Sequence, residues 1–256
     1  MLRLVASDKI RRLIREDDWE DLGTPTQELI GTAIDAGRYD EAKALAGYFI
    51  PEGKALHDLF CDWIWDLFTK ISERDGEEAV YGLCRATQET WMMRRTWKGL
   101  SAMSVEQRVY LNAEVMRSHR CGPAQDGTID IFEEDDRYSI RMDPCGSGGR
   151  LYQGEMVPRG CFRYGAAPFV EVQEPSSVTF QRAPFPTYCI HCAATNRDQL
   201  DGKPWPFLVD GEAMHAPGAP CRQYLYKKTA PRKAPARLLA QVGLSTALPL
   251  RKEYVP

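Results

Sequence analysis

Thr128-Ile129-Asp130-Ile131-Phe132 and Arg137-Tyr138-Ser139-Ile140-Arg141-Met142 alternate apolar with polar side chains, and Glu133-Glu134-Asp135-Asp136 lies between them. A period of two is that of a half-buried strand, so the stretch reads as a β-hairpin. It decides the fold because the period changes at Gly122-Pro123. Residues 1–118 repeat their apolar side chains at helical spacing instead.

Upstream, Leu2, Leu4, Val5, Ile10, Leu13 and Ile14 suggest a first helix that stops near Gly23. Thr24-Pro25 opens a second, with a polar N-cap and proline at the first helical position, and Gly37 closes it. A third spans Tyr39 to Phe49. Pro51-Glu52 begins a fourth that runs to about Ser72, and its Leu56, Leu59, Phe60, Trp63, Ile64, Leu67 and Phe68 predict a largely buried helix. A fifth runs from Glu77 to about Lys98. Ser104 caps a sixth, with Glu106 or Gln107 in reach for a capping box.

Downstream, the second strand of the hairpin runs into Asp143-Pro144-Cys145-Gly146-Ser147-Gly148-Gly149-Arg150, and Tyr188-Cys189-Ile190-His191-Cys192 comes some forty residues later. Residues 169–172 and 178–180 are short strand candidates. The last 35 residues hold eight basic side chains and one acidic one, Glu253, and read as an extended tail. The expected class is α+β: an all-helical N-terminal half, then a small irregular β-containing half that bears the cysteines. The regions are a helical domain at 1–121, a hairpin and metal-binding region at 122–221, and a basic tail at 222–256.

Net charge is −3 over 256 residues, with −5 before residue 119 and +2 after it. That mild asymmetry, without a basic groove interleaved with aromatics, argues against a nucleic-acid partner. No apolar run reaches the length of about 18 residues that spans a membrane, and the charged N-terminus holds no signal-peptide core. The chain therefore reads as cytoplasmic. Eight cysteines are then expected reduced, and clustered ones point to ligands or nucleophiles rather than disulfides.

Cys189 and Cys192 have the C-x-x-C spacing that lets two sulfurs reach one ion from a single turn. Cys145 lies in a glycine-rich turn, where a backbone with φ > 0 lets N–H groups converge on an anion. These residues predict a metal held by Cys145, Cys189, Cys192 and a fourth group, with His119 preferred at the end of the sixth helix. Cys221, Cys161 and His191 are the alternatives. Zinc suits three thiolates and an imidazole, and four thiolates would also suit an iron–sulfur cluster.

His191, between two ligands, is a candidate for proton transfer, and Glu114 for a general base. Arg150 closes the glycine loop as a clamp for a carboxylate or phosphate. Cys61 and Cys84 read as core, His57 as a core histidine bonded to a neighbour, and Arg141 as either an anion contact or a salt bridge to Asp143. No zinc-deaminase, H-E-x-x-H, Walker or G-x-S-x-G signature is present.

Together these residues point to a zinc-dependent hydrolase or lyase acting on a small anionic, carboxylate-type substrate. The alternative is a non-catalytic protein. Its zinc, held by three cysteines and a histidine or by four cysteines, or its iron–sulfur cluster, would serve ligand or partner binding. A homo-oligomer exchanging the C-terminal tail is a further expectation.

Overall fold

The computed structural model describes residues 4–9, 12–93, 99–100, 102–149, 170–202, 208–212, 214, 220–227 and 236–246. The class is α+β. The chain divides into two compact units. Among the described residues the first runs up to Cys61 and the second takes in those from Asp62 on.

The first unit opens with a departure from the sequence reading. β1 (Leu4–Ser7) and β2 (Arg12–Arg15) form an antiparallel hairpin in place of the expected first helix. Val5 stands opposite Ile14, a β-branched cross-strand pair that packs well on a pleated surface. Arg15 then fastens the hairpin to the start of the next helix. Its guanidinium pairs with Asp17 at 2.6 Å and donates to Thr26 Oγ1 at 2.9 Å and to the carbonyl oxygens of Leu22 and Thr24 at 2.9 and 2.7 Å. A surface depression of about 510 Å³, lined by Arg15, Asp17, Trp19 and their neighbours, is therefore framed by a cation already engaged in structure.

α1 (Thr26–Asp35) ends near Gly37, which takes the expected left-handed φ of 69°. α2 (Tyr39–Asp75) is one helix, not two. Pro51 lies inside it and forfeits a single hydrogen bond, yet the helix continues on both sides. The face it buries also differs from expectation. Leu56 and Trp63 are 58% and 56% exposed, whereas Asp58 and Trp65 are 0% and 3% exposed. The buried side is the one that offers polar partners. Lys54 reaches Asp58 at 3.2 Å, and the Trp65 indole N–H donates to Thr187 Oγ1 at 2.8 Å.

In the second unit α3 (Glu77–Thr87) passes into a π-helical turn over Gln88–Met93. α4 (Val105–Ser118) is capped as expected: Ser104 Oγ accepts from the Gln107 N–H, and the Gln107 side chain accepts from the Ser104 N–H. β3 (Asp130–Glu133) and β4 (Arg137–Met142) are the hairpin that the alternating pattern predicts. β5 (Glu171–Val172) pairs with β6 (Phe185–Pro186). Val178, expected in a strand, lies in a single 3-10 turn that ends in Phe180 at a φ of 55°. α5 (Ile190–Leu200), β7 (Leu208–Asp210), β8 (Cys221–Tyr226) and α6 (Ala236–Gln241) complete the unit.

The main sheet has the order β3-β4-β8-β7, all antiparallel. The start of the supposed tail is thus a central strand. Leu225 and Leu238 are fully buried within the core, along with Ile140, Ile190 and Leu208. Apolar burial outweighs the basic composition of this segment: Tyr224-Leu225-Tyr226 supplies side chains that a sheet interior takes. Among the described residues no helix is long and apolar enough to cross a membrane.

Candidate metal centre

The end of β4 and the start of β8 are opposite one another, with Met142 in register with Cys221. The chain leaves β4 through Asp143-Pro144 and returns Cys145 to the neighbourhood of Cys221, the largest influence on its proton affinity. The third and fourth thiols come from the opening of α5. Cys189 ends a one-turn 3-10 helix, Thr187–Cys189, and stands at the N-cap of α5, with Cys192 in the first turn. Cys189 and Cys192 each feel the charge of Cys145, and all three bear on Cys221.

The glycines of the turn have separate structural reasons. A Cβ at Gly146 would sit 1.5 Å from the His119 carbonyl oxygen, at the end of α4. A Cβ at Gly148 would sit 2.5 Å from Cys189 Sγ and 3.2 Å from the Tyr188 ring. One glycine thus lets the turn lie against α4, and the other lets it lie against the second thiol. Backbone N–H groups do converge here, and the group they meet is the sulfur of Cys145. The N–H groups of Ser147 and Gly149 lower its proton affinity, and Ser147 Oγ lies 3.6 Å away.

These contacts set the electrostatics. The Cys221 thiol and the converging N–H groups hold Cys145 well below the ordinary thiol range, against the opposing effect of burial. Cys221 moves well above it, through the neighbouring Cys145 first and then through burial. Burial raises Cys189 and Cys192 as well, reinforced by the negative charge of Cys145. Arg182 opposes this at Cys189. It is held nearby by the carbonyl oxygens of Gly211, at 3.0 Å, and of Met214. Of the four, Cys145 is the one that gives up its proton most readily.

His191 stands at the rim. Its Nδ1 bonds the Tyr188 carbonyl oxygen, which places the hydrogen on Nδ1 and leaves Nε2 facing Cys192 Sγ at 3.4 Å. Burial keeps the ring neutral. His119, the preferred fourth ligand of the sequence reading, is the C-cap of α4, and its Nδ1 bonds the Val115 carbonyl oxygen at 2.7 Å. The group that stands against Cys145 is Cys221. Glu114 lies on the exposed face of α4. Arg150 and Cys161 lie outside the described residues.

Arg141 lies 3.5 Å from Asp143 and 3.8 Å from Asp130, the salt-bridge version of its reading. His57 bonds Asp58 at 3.1 Å, and Cys61 and Cys84 are buried. Sequence reasoning passed over Cys121, Ser147 and Arg182. The first two had a visible signal: Cys121 precedes Gly122 as Cys145 precedes Gly146, and Ser147 sits in the turn itself.

Among the described residues no three histidine, cysteine, aspartate or glutamate side chains are already arranged to hold an ion. The thiols are neighbours and not a finished tetrahedron. Comparison with protein families, with curated proteins and with solved structures finds no match to this chain.

Proposed function

We propose that this chain binds a metal through Cys145, Cys189, Cys192 and Cys221, and that the centre is structural. The observation that carries the reading is the gathering of four cysteines from three distant segments: Cys221 at the strand end paired with Met142, Cys145 in the turn that follows β4, and Cys189 and Cys192 at the opening of α5, with Gly148 of that turn packed against Cys189 Sγ. Borderline-soft zinc suits such a donor set, and an iron–sulfur cluster is the other group that four thiolates hold. With Cys221 in the fourth position the chain supplies the whole coordination sphere. A closed sphere staples the end of β4, the start of β8 and the opening of α5 to one another, and metal binding becomes part of the folding free energy.

A catalytic version has one observation in its favour. His191 faces Cys192 while Cys145 and Cys192 are partly exposed, so the rim carries a proton acceptor beside an accessible thiol. In that version one position opens to a small carboxylate, and hydrolase or lyase chemistry becomes available.

One set of measurements separates these readings. Metal, iron and sulfide are assayed in protein purified under anaerobic conditions, for the wild type and for Cys145→Ser, Cys189→Ser, Cys192→Ser, Cys221→Ser and His119→Ala. One zinc per chain, lost in the four serine variants and kept in His119→Ala, is expected. Metal retained by Cys221→Ser and lost by His119→Ala would restore the imidazole as fourth ligand. No metal in any preparation would end the reading. Cobalt in place of zinc then reports the sphere: a thiolate spectrum unmoved by added acetate or succinate marks the closed site, and a shifted one marks the open site.

A further inference from the structure

We infer that Cys121 is a positioning residue of the thiol centre, fastening the turn that carries Cys145 to the end of α4. For its consequence on metal binding the inference rests on the proposed four-thiol site; the contact itself does not depend on it. Cys121 is 0% exposed. Its sulfur donates to the Met116 carbonyl oxygen at 3.2 Å and accepts the Gly146 N–H at 3.3 Å.

Neighbouring contacts give this pair its leverage. The Gly122 N–H donates to the Pro144 carbonyl oxygen at 3.1 Å, and Gly146 lies so close to the His119 carbonyl oxygen that no side chain fits there. The residues just beyond α4 therefore grip the turn on both sides of Cys145. The Gly146 N–H is spent on Cys121, whereas those of Ser147 and Gly149 are turned to Cys145. Cys121 thus helps to decide which N–H groups of the turn face the ligand sulfur. Its sulfur holds α4 and the turn at once, and a cobalt spectrum distinguishes this support from ligation. Partners that orient a ligand in this way affect metal affinity by about 10- to 100-fold.

The test compares wild type, Cys121→Ala and Cys121→Ser, the serine keeping a donor and an acceptor in the same place. In metal-free full-length protein, amide exchange at Gly146 is expected to be roughly tenfold faster in Cys121→Ala, the loss of about one hydrogen bond, and near wild type in Cys121→Ser. Zinc affinity, measured by competition with a chromophoric chelator, should fall about 10- to 100-fold in Cys121→Ala and recover in Cys121→Ser. The cobalt thiolate band should keep its wild-type intensity per bound ion in all three. Unchanged Gly146 exchange in Cys121→Ala overturns the inference, and so does a cobalt band that has lost one thiolate. If wild type takes up no metal, the four-thiol proposal fails, and Gly146 exchange still decides the role of Cys121. If Cys121→Ala does not fold, the wild type decides: exchange at Gly146 as fast as in an open turn overturns the inference.

Discussion

Gly148→Ala is the sharpest perturbation of the candidate centre. The added Cβ would lie 2.5 Å from Cys189 Sγ, whereas atoms in contact settle at about 3.5 Å or more, so sulfur and turn must part by about 1 Å. The cost to the fold is that of overpacking, about 1–3 kcal/mol. The cost to a metal site is greater in kind, because metal–ligand distances tolerate deviations of only about 0.2 Å. Gly148→Ala is therefore expected to lose zinc binding almost completely while remaining folded when metal-free. Gly82→Ala is the matching control. Gly82 lies in α3 with nothing within 4 Å of the new Cβ, and alanine there should stabilise by about 0.5–1 kcal/mol without touching the metal. Urea unfolding of the metal-free proteins and zinc competition read the two effects separately. Zinc affinity equal to wild type in Gly148→Ala would refute the argument that this glycine exists to let Cys189 approach the turn.

Two further expectations concern the surrounding core. Burial pushes the Cys84 thiol up to about 12 from an ordinary value of 9.0, so the folded state holds its proton more tightly than the unfolded state. Its contribution is full below about pH 9 and fades as pH rises toward 12; Cys84→Ala should flatten the alkaline limb of metal-free stability by a few kcal/mol, and an unchanged slope would contradict this. Trp65→Phe removes the indole N–H from Thr187 Oγ1, next to Tyr188 and Cys189. A loss of about 1–3 kcal/mol in chemical denaturation is expected, since a buried hydroxyl loses its donor, and a neutral result would mean that Thr187 finds another.

Local pattern carried far in this chain and non-local pairing did not. The hairpin at β3 and β4 was legible because alternation and a four-residue acidic turn are local signals, and the same holds for the capping box between Ser104 and Gln107. Cys145, Cys189 and Cys192 stood out because glycine and C-x-x-C spacing are also local. Cys221 was weighed only as an alternative, since its place beside Cys145 depends on β8 entering the sheet opposite Met142. Composition misled there: the basic residues and prolines beyond it hid Tyr224-Leu225-Tyr226. Pro51 misled in the other direction, because a proline signals a break and this helix continues through it. The N-terminal hairpin was missed because Leu4, Val5, Leu13 and Ile14 satisfy helical spacing as well as a paired register.

The strand order β3-β4-β8-β7 has a consequence for how the chain is made. Met142 emerges from the ribosome 79 residues ahead of its partner Cys221 (221 − 142 = 79). At about 5–20 residues per second, β4 waits roughly 4–16 s with one edge bare. Such an edge templates pairing with other chains. The acidic Glu133, Glu134, Asp135 and Asp136 lie at the turn beside that edge, and only after β8 is made does Lys227 reach Glu133, at 2.8 Å. A nascent chain stalled before residue 221 has no β8, and β4 keeps its sticky edge.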